Sequence, residues 1–343
     1  MKTVFIHIGN FKTGSSAIQE YCLEHRGALL SAGFDYILSG RPSNRKSPNH
    51  GKIPLSFLSD LGEHTPEWYV DSERFESVVQ RVRAEIENSS AANIILSSEE
   101  FYFLGTRSQV VKERAKESFQ ALFHGMTVKT ILFVREPYDF ICSWYNQANK
   151  SQSLRPNRRF TDFFFITNDK LMLPRETSDF WRDCFGYDSA IILPYRNEPQ
   201  EHLNMFKCAL GMECQDFNAS SPSRVNVSGN LRALEINRLN KIRLVWPRET
   251  RRTYLRSQIL TSRENMEKLH RKVDQINERY ESFCREEGLP AAKSRFTMND
   301  LIVHEELVNR NDAILDQRFF PFLGQVLKLL SVKSYRKLKR ALW

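Results

Sequence analysis

The 343-residue chain has no apolar stretch long enough to cross a bilayer, which argues against a helical membrane span. Its six cysteines, Cys22, Cys142, Cys184, Cys208, Cys214 and Cys284, form no CxxC pair. Zinc-ribbon and paired-thiol redox chemistry are therefore not indicated, and thiols in a reducing cytosol are the expectation. There is no tandem repeat and no low-complexity linker to divide the chain into independent folds. The first residues enter an apolar alternation at once, which predicts no signal peptide and a cytoplasmic protein. Glycine is scarce, with 14 in the chain, and two of these, Gly9 and Gly14, bracket one short loop.

What is present describes a globular protein. Hydrophobic residues make up 41% and charged residues 27%, enough apolar side chains for a full core. Short apolar runs predict strands near 3–8, 34–38, 93–97, 130–134 and 189–193. Helical periodicity separates them, notably over 72–88, 108–123 and 138–149. This α/β rhythm folds into a parallel sheet with right-handed crossovers and helices on both faces. Past about Asn230 the texture turns to charged helical segments, above all 262–287. The expected organisation is one domain over 1–343, with an α/β core over 1–230 and a mostly helical extension over 231–343.

The densest signal is Thr3-Val4-Phe5-Ile6-His7-Ile8-Gly9-Asn10-Phe11-Lys12-Thr13-Gly14-Ser15-Ser16-Ala17-Ile18-Gln19. A strand pattern runs into a glycine-bounded loop, then into a helix with Ile18, Tyr21, Cys22 and Leu29 on one face. Such a junction turns main-chain N–H groups and a helix N-terminus onto a phosphate. Gly9 and Gly14 have the spacing of a Walker A loop, but the lysine stands inside the loop at Lys12 and Ser15 occupies its usual place. A three-layer P-loop-type fold is expected, without ordinary Mg-nucleotide hydrolysis.

A second segment, Lys129-Thr130-Ile131-Leu132-Phe133-Val134-Arg135-Glu136-Pro137-Tyr138-Asp139-Phe140-Ile141-Cys142-Ser143-Trp144-Tyr145, has a strand ending in Arg135. Pro137 suits the first turn of the following helix. Together the two segments resemble PAPS-dependent sulfotransferases of the bacterial, carbohydrate-sulfotransferase-like type. In that family H-I-G-x-x-K-T-G-[ST] binds the 5′-phosphosulfate, and a strand-end arginine with a serine eight residues later binds the 3′-phosphate. The resemblance covers about the first half of the chain. It implies PAPS as co-substrate, with Gly9, Lys12, Thr13, Gly14, Ser15 and Ser16 around the phosphosulfate and Arg135 and Ser143 at the 3′-phosphate. A looser likeness to a late basic segment of cytosolic members points to Arg224 and Asn226. That stretch lacks R-K-G, and an exposed loop with Ser228 capping a helix is an equal alternative.

The chemistry implied is in-line displacement, with catalysis from positioning and charge stabilisation. Lys12 neutralises the bridging oxygen as the sulfuryl group departs, and no metal is required. The acceptor hydroxyl needs a base. Asn93-Ile94-Ile95-Leu96-Ser97-Ser98-Glu99-Glu100-Phe101 ends a predicted strand, where parallel sheets bind ligands. The resemblance favours Glu99 over Glu100; the competing reading is that Glu99 caps a helix beginning near Phe101. His50, in a polar loop, is the rival base, whereas His7 inside the first strand reads as a buried histidine.

The formal net charge of +9 has two concentrated sources. Lys241, Arg243, Arg248, Arg251, Arg252 and Arg256 surround Trp246 and Tyr254, a pattern suited to an anionic glycan or nucleic acid, with the glycan favoured slightly over a merely solvated helix face. The stretch from Val326 to Trp343 mixes cations with leucines, and docking on its own domain competes with peripheral contact at the inner membrane. The expected acceptor is a saccharide hydroxyl in a surface polysaccharide or glycolipid, and nucleic acid is not an expected partner. The alternatives are a P-loop nucleotide phosphotransferase and a non-catalytic nucleotide-binding module.

Overall fold

A computed structural model describes residues 1–42, 48–66, 68–150, 159–212, 263–292 and 295–301. The chain divides into two compact units, each treated by itself below. The first gathers the described residues of Met1–Phe140, Asn168–Val227 and Ile276–Ser294, and the second those of Ile141–Thr167, Ser228–Gln275 and Arg295–Trp343.

The first unit is an α/β fold around a five-stranded parallel sheet. Its strands are β1 (Thr3–Ile8), β2 (Phe34–Tyr36), β3 (Asn93–Ser98), β4 (Thr127–Val134) and β5 (Ala190–Pro194), in the order β2-β3-β1-β4-β5. In register, Ile8 stands beside Ser98 of β3 and Leu132 of β4, so the carboxyl ends of the central strands line up.

Strands buried on both faces need apolar residues at nearly every position, and side chains alternate between the faces. Phe5, Phe34, Tyr36, Ile95, Ile131 and Phe133 form one core with Ile18, Tyr21 and Cys22 of α1 (Ser15–Glu24), Leu29 of α2 (Arg26–Ser31), and Leu203 and Phe206 of α10 (Pro199–Ala209). A second, aromatic cluster draws on α3 (Lys52–Asp60), α4 (Phe75–Asn88), α5 (Glu100–Gly105), α6 (Gln109–Leu122) and α9 (Arg175–Phe185). There Phe119 meets Phe57, Phe75, Phe101 and Trp181 at centroid separations of 5.6–6.2 Å. Three of these contacts are edge-on, a geometry that adds to the gain from burial alone.

α7 (Pro137–Lys150) follows β4 directly and runs from the first unit into the second. Within the second unit, Tyr145 of α7 packs on Phe160 and Phe163 of α8 (Phe160–Ile166) at 5.3 and 5.4 Å. Lys272, on the 24-residue helix α11 (Arg263–Glu286), donates from Nζ to the carbonyls of Phe165 and Thr167 at 3.0 and 2.7 Å. It thereby satisfies acceptors that a helix C-terminus leaves unpaired.

Cys22, Cys142, Cys184 and Cys284 are free thiols, but Cys208, in the last turn of α10, is disulfide-bonded, which corrects the expectation of six thiols. No helix among the described residues is long and apolar enough to cross a membrane. The two basic clusters, at 241–256 and 326–343, lie outside the described residues.

Candidate active site

From β1 the chain leads toward β2 on one flank of the sheet, and from β4 toward β5 on the other. The loops after β1 and β4 therefore diverge at the switch point, where open α/β sheets bind ligands.

The loop after β1 is anchored at both ends. Gly9 N–H donates to the Ser98 carbonyl at 3.2 Å, and Thr13 Oγ1 donates to the Asn10 carbonyl at 2.6 Å. Lys12 and Gly14 both have left-handed backbones, at φ 65° and 76°, a pattern associated with anion-binding nests. A Cβ at Gly14 would also come within 3.0 Å of His202 Nε2, so glycine is required there on two grounds. At Gly9 a Cβ would collide with the Ser15 hydroxyl and stand 3.3 Å from Glu99 Cγ, so both side chains approach the loop at that point. The amides of Ser15 and Ser16 open α1 and donate to no group among the described residues.

Arg135, the first residue after β4, donates from Nη1 to the main-chain oxygen of Lys12 at 2.6 Å. Its guanidinium lies 4.7 Å from the ring centre of Tyr195, the residue that follows β5. Asn10 Oδ1, Ser15 Oγ and Arg135 Nε are buried without a hydrogen-bond partner among the described residues. The two donors among them, Ser15 Oγ and Arg135 Nε, fit a site completed by an anionic ligand, whereas Asn10 Oδ1 is an acceptor and needs a donor instead.

Glu99 occupies the N-cap position of α5 but makes no capping hydrogen bond. Ser98 takes that role, its Oγ accepting from Glu100 N–H at 3.2 Å while its hydroxyl donates to the Glu100 carboxylate. The Glu99 carboxylate is half-buried and accepts from Gln19 Nε2 at 3.2 Å. Glu100 instead lies buried against Gly51.

The histidines sort clearly. His50 is fully buried, with Nδ1 accepting from Ser97 N–H at 3.0 Å and Nε2 2.9 Å from the Ile37 carbonyl. Burial brings its pKa down to about 4. With both nitrogens engaged it has no lone pair for an acceptor proton. His7 is likewise fully buried, its Nδ1 2.8 Å from Ser97 Oγ, and burial, reinforced by nearby His202, lowers its pKa to about 3. His202 lies under the loop against Phe133, at 4.0 Å between ring centres, and burial lowers it to about 4. The Thr13 main chain opposes that shift without reaching hydrogen-bond geometry, leaving both ring nitrogens unpaired among the described residues.

The first unit thus brings together Gly9, Lys12, Thr13, Gly14, Ser15, Ser16, Glu99 and Arg135. Ser143 is buried in α7 within the second unit, and Arg224 and Asn226 lie outside the described residues. Sequence reasoning passed over Tyr195, which a search of strand ends would have found. It also passed over Gln19 and His202, which sit among apolar helix residues and have no local signature.

No known family model and no curated protein matches this chain. Among solved structures, a sulfotransferase from Alicyclobacillus acidocaldarius aligns over 71% of this chain and 94% of its own length, at 12% identity and a TM-score of 0.34.

Proposed function

We propose that the chain is a PAPS-dependent sulfotransferase acting on a hydroxyl of a saccharide, in a surface polysaccharide or glycolipid. The observation that supports this best is the link from Arg135 to Lys12: a strand-end arginine fastened to a phosphate-type loop whose lysine is internal. Orphaned donors at Ser15 and Arg135 suit an anion at the same place.

In this reading the loop amides and Lys12 hold the 5′-phosphosulfate, and Arg135 offers a planar fork to a phosphate oxygen. The acceptor oxygen attacks sulfur while its proton passes to Glu99. The bond from sulfur to the bridging oxygen breaks, and its electron pair stays on the 5′-phosphate of PAP, where Lys12 and the loop N–H groups neutralise it. No metal is needed for these steps, and the proposed setting is the cytoplasm, where PAPS is made.

A Mg-nucleotide phosphotransferase is the second reading. Glu99 beside Gly9 favours it, because a strand-end carboxylate next to a phosphate loop suits a metal ion. Ser15 in place of the loop lysine weighs against it. Incubation with PAPS and a panel of polysaccharide and glycolipid acceptors, following PAP release, tests the first reading. Acceptor-dependent PAP release supports it, and phosphoryl transfer from Mg-ATP to the same panel contradicts it.

A further inference from the structure

Gln19 is 2% exposed, one helical turn beyond Ser15 on the helix that leaves the phosphate-type loop. A primary amide removed from water costs free energy unless it is hydrogen-bonded. Gln19 spends its N–H on Oε2 of Glu99, 80 residues away in sequence and at the end of a different strand. We infer that Gln19 is a positioning residue for Glu99: it aims the carboxylate at the loop and holds it there.

The inference rests on Glu99 being the base. A donated N–H restrains the orientation of the carboxylate that accepts it. With Oε2 bound to Gln19, Oε1 is left to receive the acceptor proton. The residues that open α1 toward a phosphate therefore also orient the proton acceptor, so loop and base keep one geometry. Glu100 has no equivalent arrangement, since its carboxylate is taken by the neighbouring Ser98 hydroxyl.

The test measures acceptor-dependent PAP release, resolved into kcat and KM, beside PAP affinity by calorimetry, on the full chain. Gln19→Met keeps the shape and removes the donor; Gln19→Glu replaces it with a like charge. Glu99→Gln supplies the reference without the carboxylate. The expected result is that Glu99→Gln abolishes release, and that Gln19→Met lowers kcat by roughly 10-fold or more with the KM for PAPS nearly unchanged. Gln19→Glu lowers kcat further, and carries the test if the Met variant does not fold. PAP affinity stays within about threefold of wild type in the Met variant, since the loop is intact. A wild-type kcat in Gln19→Met while Glu99→Gln is inactive overturns the inference alone. If Glu99→Gln also keeps its kcat, the base assignment falls as well, and absence of PAP binding by the wild-type chain overturns the donor reading beneath both.

Discussion

Arg135 reaches back 123 residues to donate a hydrogen bond to the main-chain oxygen of Lys12, at 2.6 Å. The bond fastens the loop after β1 to the end of β4, at the residue whose backbone is left-handed. Arg135 thus holds the loop in shape as well as supplying charge. The Tyr195 ring, 4.7 Å from the guanidinium, gives it a cation–π partner there.

Arg135→Ala removes that clamp and leaves the loop oxygen without its donor. A hydrogen bond to a charged group contributes about 1.5–3 kcal/mol, so PAP affinity should fall by roughly 10- to 100-fold. Arg135→Lys keeps the charge without the planar fork and should recover only part of it. Calorimetric titration of both variants checks this, and unchanged affinity would remove the second segment from the site.

Lys12 has φ 65°, a region costing a non-glycine residue about 1–2 kcal/mol. Lys12→Gly should therefore hold or slightly raise the melting temperature while turnover falls by roughly 100-fold or more. A fold stabilised as activity disappears marks strain kept for chemistry. A near-wild-type rate would exclude Lys12 from the mechanism.

Glu99→Gln should abolish transfer and retain PAP binding, because the loop contacts do not depend on the base. Full activity would shift the role to another group. Glu100 is less suited to it, being buried against Gly51 and hydrogen-bonded to Ser98.

His7, His50 and His202 have pKa values of about 3, 4 and 4 in the fold, against an ordinary value of 6.5. Below pH 6.5 the unfolded chain takes up these protons more readily than the folded one, so stability falls as pH drops toward 4. Each group contributes up to about 1.4 kcal/mol per pH unit in that window. Urea melts at pH 7 and pH 5 should show the loss, and His50→Gln should make the dependence shallower. Equal stability at both pH values would contradict neutral burial of these rings.

Much of the sheet was legible because a parallel strand buried on both faces leaves a continuous apolar run. β1, β3 and β5 fall within about one residue of their predicted positions. The edge strand β2 stops at Tyr36 instead of 38, since the amides of Leu38 and Ser39 turn to the Glu85 carboxylate at 2.7 and 2.6 Å. β4 starts earlier than predicted, at Thr127, where its amide pairs with the Lys2 carbonyl. The loop was legible because glycine spacing is local. The setting of His50 was not, because its ring is held by main-chain groups of Ile37 and Ser97, brought to it only by folding. Gln19 is the same case: its partner stands 80 residues away.

Titration of the purified chain with PAP without magnesium, run beside ATP with magnesium, tests the donor assignment most directly. Tight PAP binding with weak ATP binding, and loss of PAP affinity in Arg135→Ala, is the predicted result. A preference for Mg-ATP would contradict the sulfotransferase reading and make Glu99 a metal-side carboxylate instead of a base.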